Sequence, residues 1–167
     1  MAKKDLCLVT GGAGFIGSHL VEALLKRGYP VRVLDDLSTG KASNLQGIRG
    51  DIHFQKGSIC KETDIRKAVR GVKYVFHIGA NRAVLRSVDN PLETNDVNVT
   101  GTLRLLVAAR DFKVKRFIFS SAKYYPILSN CYSKMIKRLC LKSYWILIVF
   151  SNAIRDSIHR VYTSSHI

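Results

Sequence analysis

The sequence predicts an α/β chain: a parallel sheet with helices on both faces. Three observations carry that expectation. Short β-rich runs alternate with helical patterns as far as Ser120, a glycine cluster joins the first run to the first helix, and all of this repeats within one domain's length. Strands separated by helical stretches pair in parallel through right-handed crossovers.

Residues 6–10 form a continuous apolar run, as in a strand buried on both faces. After the glycines, Phe15, Ile16, Leu20, Val21, Leu24 and Leu25 recur at helical spacing, and Gly28 closes that helix. Residues 31–34 read as a second strand and 52–55 as a weaker third. Residues 62–70 read as a helix ended by Gly71, and 72–77 as a fourth strand rich in Val, Tyr and Phe. Pro91 opens a long helical pattern reaching Ala109, and residues 116–120 make a fifth strand.

Composition narrows the class. The chain has 167 residues, 47% apolar and 23% charged, which excludes wholesale disorder and disulfide-stapled miniproteins. The basic Met1-Ala2-Lys3-Lys4 start is followed by too short an apolar stretch for a signal peptide. The most apolar run, 144–150, is far shorter than the roughly 20 residues a membrane span needs. Cys7, Cys60, Cys131 and Cys140 make no C-x-x-C pair and no metal-like cluster, so no metal is expected and the cysteines read as reduced thiols of a cytoplasmic protein. Cys7 reads as a small buried apolar residue in a strand.

The formal charge of +15 is uneven. All twelve glycines lie at or before Gly101, whereas from Lys113 onward ten Lys and Arg face one acid, Asp156. The division expected is residues 1–121 as the α/β domain and 122–167 as a divergent basic tail. The tail reads either as a helix with a sixth strand at Trp145–Phe150 or as partly disordered chain. Its charge allows an electrostatic nucleic-acid partner, but no recognised nucleic-acid motif accompanies it, so neither nucleic acid nor membrane is the expected partner.

Gly11-Gly12-Ala13-Gly14-Phe15-Ile16-Gly17 sits between a strand and a helix and satisfies G-x-G-x-x-G from Gly12. The early glycine permits the tight turn, Gly14 the approach of a pyrophosphate, and Gly17 close packing of helix on strand. Free N–H groups and the helix dipole then face the phosphates. Asp35 ends the second strand, placed to accept from an adenosine ribose. Its charge repels a 2′-phosphate and favours NAD over NADP, while Arg32 and Lys41 pull the other way.

The segments 9–19 (Val-Thr-Gly-Gly-Ala-Gly-Phe-Ile-Gly-Ser-His) and 33–40 (Val-Leu-Asp-Asp-Leu-Ser-Thr-Gly) resemble the NAD-dependent epimerase/dehydratase family of extended short-chain dehydrogenases. Tyr74-Val75-Phe76-His77 with Gly79-Ala80, then Asn98-Val99-Thr100-Gly101-Thr102, then Arg116-Phe117-Ile118-Phe119-Ser120-Ser121 extend the likeness over the first 120 or so residues. The resemblance implies a Rossmann-like doubly wound sheet. It places Gly11, Gly14, Phe15, Ile16 and Gly17 at the pyrophosphate, and Asp35, Asp36, Ser38, Thr39 and Gly40 around the adenosine ribose. The family's Asp-Ile or Asp-Leu pair beside the adenine is Ser58-Ile59 here, which removes one carboxylate. Ile78, Gly79 and Ala80 match the segment running along the cofactor, and Asn98 a helix asparagine that supports the active site. His77 corresponds to a buried strand histidine rather than a catalyst.

Members of this family move a hydride reversibly between NAD and a nucleotide-sugar carbon. A tyrosine in Tyr-x-x-x-Lys takes the hydroxyl proton, and the lysine holds the nicotinamide ribose and favours the phenolate. No tyrosine in this chain has a lysine four positions later. The nearest match is Asn130-Cys131-Tyr132-Ser133-Lys134, with Asn130 at the tyrosine position. Tyr132 lies about 200° around a helix from Lys134 and cannot substitute. The serine motif reads Ser120-Ser121-Ala122-Lys123-Tyr124-Tyr125-Pro126. Ser121 and Lys134 are therefore the candidate catalytic residues. Family members also carry a C-terminal substrate lobe, so the sequence suggests a truncated or frameshifted product with impaired turnover. The alternative is a non-catalytic NAD-binding module. Pairing of two chains through helices flanking the sheet is a further implication of the family.

Overall fold

The computed structural model describes residues 4–81, 84–121 and 145–150. Its strands are β1 (Cys7–Thr10), β2 (Val31–Asp35), β3 (Ile52–Lys56), β4 (Tyr74–His77), β5 (Arg116–Ser121) and β6 (Trp145–Phe150). They form one sheet in the order β3-β2-β1-β4-β5-β6, every neighbouring pair parallel. The helices are α1 (Phe15–Lys26), α2 (Glu62–Val69), α3 (Val84–Asp89), α4 (Pro91–Asn95) and α5 (Thr102–Asp111), with a π-helical turn, Asp96–Gly101, between the last two.

All four residues of β1 are buried, and their side chains alternate between two cores. Cys7 and Val9 join Leu20, Val21 and Leu24 of α1 with Val31 and Val33 of β2. Leu8 points the other way, to Ile65 and Val69 of α2 and Leu105 of α5. Helices on both faces explain why β1 reads as an unbroken apolar run. Burial pushes the Cys7 thiol up to about 12, with Asp5 adding to the effect, so it behaves as a small apolar residue.

The end of α1 shows why Gly28 closes it. Gly28 takes φ of +78° and donates to Leu25 O at 2.7 Å, while Tyr29 N–H reaches Leu24 O at 3.1 Å. That pair of bonds is a Schellman ending, which favours glycine at the left-handed position.

Three features differ from expectation. The fourth strand begins at Tyr74, not at residue 72, because Gly71 (φ +78°) turns the chain and Val72 N–H bonds back to Val69 O at 3.0 Å. Val72 is apolar because the turn is buried, not because it pairs. The helical pattern from Pro91 does run as one helical path, yet its middle widens into the π turn. Helix α3 is not expected from the sequence, and its Leu85 and Val88 are exposed. The strand at Trp145–Phe150 pairs with β5, whereas residues 122–144 and 151–167 of the basic tail lie outside the described residues.

Among the described residues, no helix is long and apolar enough to cross a membrane. After β3 the chain crosses over to β4 on the far side of β1. This reversal opens a crevice beyond the carboxyl ends of β1 and β4, where ligands of doubly wound sheets bind.

Candidate functional site

Gly11 leaves β1 with φ of +68°, its N–H extending the ladder to Leu34 O at 2.9 Å. A Cβ there would sit 2.7 Å from the Gly79 backbone, so the loop after β1 lies directly on the loop after β4. A Cβ at Gly17 would come within 2.1 Å of Gly11 O, and one at Gly12 within 2.7 Å of a Val33 methyl. Both glycines are therefore required by the protein's own packing. Gly14 differs: a Cβ there would meet only Gly11 O, at 3.3 Å. That face of the loop is open.

Gly14 is the N-cap of α1 and offers no side chain to its first turn, which also holds no acidic residue. The orphan N–H groups and positive dipole end are left for an anion. Phe15 beside them is 74% exposed.

Asp35 is buried at the end of β2, and its carboxylate is already at work. Oδ2 accepts from Ala13 N–H at 2.9 Å and Oδ1 from Leu37 N–H at 2.9 Å. The acid thus pins the glycine loop to the sheet edge while its remaining lone pairs stay available for hydroxyl donors. Residues 37–44 fold back over the same loop. Asp36 accepts from Ser38 N–H at 2.9 Å, Gly40 packs on Ala13, and Lys41 N–H donates to Ala13 O at 3.0 Å. Asn44 Nδ2 adds a second donor to Ala13 O at 2.8 Å. Sequence reasoning missed Asn44, because an asparagine in a polar stretch reads as ordinary loop.

Ser58 lies just before α2, its N–H donating to Asp64 Oδ2 at 3.0 Å and its hydroxyl accepting from Cys60 N–H at 3.2 Å. Ile59 is buried in the core, where Gly101 leaves room for it. Ile78 and Gly79 are half-buried beyond β4, and Ala80 is exposed. Asn98, on the π turn, reaches across to Asn81: its Oδ1 accepts from Asn81 N–H at 2.7 Å and its Nδ2 donates to Asn81 O at 2.8 Å. This paired contact fixes the loop after β4. Asn81 was not singled out from sequence.

Arg32 does not reach the phosphate side. Its Nη1 donates to Ala68 O at 2.7 Å and Arg70 O at 2.8 Å, closing the C-terminal end of α2. Burial lowers its pKa, and Asp35 stands at the opposite end of β2. Ser121 closes β5, and Asn130 and Lys134 fall outside the described residues. Among the described residues no group of three His, Cys, Asp or Glu is placed to hold a metal ion.

The glycine loop fits a diphosphate by shape and by donor supply, on the switch point of a sheet of this order. The architecture is that of a dinucleotide-binding α/β domain. The signature of the NAD dependent epimerase/dehydratase family matches residues 7–135, and the chain belongs to that family. It is 37% identical over 122 residues to a UDP-N-acetyl-alpha-D-glucosaminuronate decarboxylase of Bacillus cytotoxicus, covering 73% of this chain and 38% of the relative. It is 42% identical over 121 residues to a UDP-glucose 4-epimerase of Klebsiella pneumoniae, covering 69% of this chain and 87% of that sequence. The crystal structure of the Thermus thermophilus UDP-glucose 4-epimerase complex with NAD superposes with a TM-score of 0.65 at 40% identity, covering 70% of this chain and 37% of that one. The chain thus spans well under half the length of the decarboxylase and of the Thermus enzyme.

Proposed function

We propose that residues 1–121 form the NAD-binding part of a nucleotide-sugar oxidoreductase of the epimerase/dehydratase type, most like UDP-glucose 4-epimerase. The observation that carries this reading is the open glycine loop at the uncapped start of α1, with the Asp35 carboxylate holding it to β2. Gly11, Gly14, Phe15, Ile16 and Gly17 take the diphosphate. Asp35, Asp36, Ser38, Thr39 and Gly40 surround the adenosine ribose, and Ser58 and Ile59 lie by the adenine. Ile78, Gly79 and Ala80 run along the cofactor, with Asn98 supporting that loop.

When bound, NAD supplies reversible acceptance of a hydride from a sugar carbon. The buried negative charge of Asp35 disfavours a 2′-phosphate, and Arg32 is engaged elsewhere, so NAD is preferred to NADP. Ser121 takes the role of bonding a substrate hydroxyl, and Lys134 that of holding the nicotinamide ribose. Asn130 has no proton to exchange as a base. General acid–base help is worth about 10²–10⁴-fold, so turnover by this polypeptide is lowered at least that far. The free thiols of Cys7 and Cys60 suit a cytoplasmic setting.

A second reading, a non-catalytic NAD-binding module, draws on Asn130 at the family's tyrosine position. Calorimetry with NAD and then with UDP-glucose, alongside an epimerisation assay, tests both. NAD binding with UDP-glucose binding supports the oxidoreductase reading; NAD binding alone supports the module. Rapid epimerisation by the unmodified chain contradicts the impairment.

A further inference from the structure

Buried beneath the cleft is a chain of hydrogen bonds that the cofactor contacts leave unused. His77, at the end of β4, is 2% exposed. Its Nδ1 lies 2.7 Å from Thr10 Oγ1 on β1, and its Nε2 lies 2.9 Å from Thr102 Oγ1 at the start of α5. Thr102 Oγ1 is in turn 2.8 Å from Asn98 O, and Gly79 N–H points at Thr10 Oγ1 over 3.3 Å.

The direction of every bond follows from its two ends. A carbonyl only accepts, so the one hydroxyl proton of Thr102 goes to Asn98 O. Toward His77, Thr102 can then only accept, which puts the imidazole proton on Nε2. A neutral imidazole has one such proton, so Nδ1 is bare and takes the hydroxyl proton of Thr10. The lone pairs of Thr10 remain for Gly79 N–H. The run Gly79 N–H to Thr10, to His77, to Thr102, to Asn98 O is thus satisfied in one sense only. An imidazolium would turn the Thr10 hydroxyl proton away from Nδ1 and deprive it of that acceptor.

We propose that His77 is a positioning residue: a bridge, neutral at neutral pH and protonated on Nε2, that locks the π turn carrying Asn98 to the loops after β1 and β4. Both ends of the run lie on the cleft. Gly79 lies against Gly11, and Asn98 clamps Asn81 through both of its amide groups. The bridge adds a buried side-chain link to elements already joined by the β1–β4 ladder and the Asn81–Asn98 pair, and π turns of this kind recur at functional sites. The neighbours of the ring, Phe117 and Phe119, carry no charge, and burial lowers the pKa of His77 to about 4. The effect on cofactor affinity rests on the NAD reading above; the direction of the bonds does not.

Two measurements on the full chain test this. Nitrogen NMR of histidine-labelled protein, with the His77 signals identified by their loss in His77→Gln, reads the tautomer. The expected result is a proton held on Nε2, without titration between about pH 5 and about pH 8. NAD calorimetry of Thr102→Val and Thr102→Ser reads the coupling. Loss of the hydroxyl in the valine variant is expected to weaken NAD binding about tenfold, with serine within about twofold of the unmodified chain. A proton on Nδ1, titration near the ordinary value, or equal affinities of the two variants overturns the proposal. Should Thr102→Val fail to fold, the tautomer and the serine variant still decide. If the unmodified chain ignores NAD while the tautomer is as stated, the cofactor reading falls and the bridge stands.

Discussion

Gly14 and Gly17 are three residues apart in one motif, yet the structure gives them opposite duties. A side chain at Gly17 collides with the Gly11 carbonyl at 2.1 Å, whereas one at Gly14 meets that carbonyl alone, in a tight contact of 3.3 Å that a small shift relieves, and otherwise faces the open cradle. Gly17→Ala is therefore expected to destabilise the fold by about 2 kcal/mol or more, read by urea unfolding. Gly14→Ala, at an extended backbone position, is expected to stay within about 0.5 kcal/mol of the unmodified chain and still weaken NAD binding at least about tenfold. Equal stability losses at both positions would refute that division of labour. His77 adds a pH signature. The unfolded imidazole takes a proton near 6.5 and the folded one only near about 4, so between these values the unfolded state binds more protons. Stability from this group is complete above about pH 6.5 and is lost as pH falls toward about 4, on the order of 3 kcal/mol in all. Unfolding curves in urea across that range should show a flatter acid slope for His77→Gln than for the unmodified chain.

At the scale of elements, what sequence made legible was whatever leaves a local mark. The buried β1 run, the Schellman glycine after α1 and the start of α4 at Pro91 follow from residues adjacent in the chain, and the structure adds an Asn90 cap that accepts from Glu93 N–H. The π turn does not: the family likeness marks Asn98 and a buried His77 separately, and only the fold joins them through Thr102. Arg32 shows the same limit from the other side. Close to Asp35 in sequence, it reads as a rival for the cofactor's phosphate, but a strand carries its side chain to the other end of the sheet. There it satisfies the carbonyls that end α2. Arg32→Leu is expected to cost about 1.5–3 kcal/mol in denaturant unfolding while leaving the preference for NAD over NADP unchanged. A shift in that preference would return Arg32 to the cleft.

For the molecule as a whole, the sheet order and the loops at its switch point do the same work from two directions. The order β3-β2-β1-β4-β5-β6 places the ends of β1 and β4 side by side, and the glycine loop, Asp35 and the Asn81–Asn98 clamp converge there. Spacing along the chain revealed the loop and the acid, because both are short-range motifs. It revealed nothing of the clamp or of Asn44, which arise from contacts between distant segments. The basic tail keeps its charge without an assigned role, most of it lying outside the described residues. The central claim is that this cleft takes an adenine dinucleotide without a 2′-phosphate. Titration calorimetry of the purified full chain with NAD and with NADP tests it most directly. The account predicts saturable binding of NAD at least about tenfold tighter than of NADP. A cooperatively folding sample that releases no heat with either dinucleotide, or that prefers NADP, would contradict it.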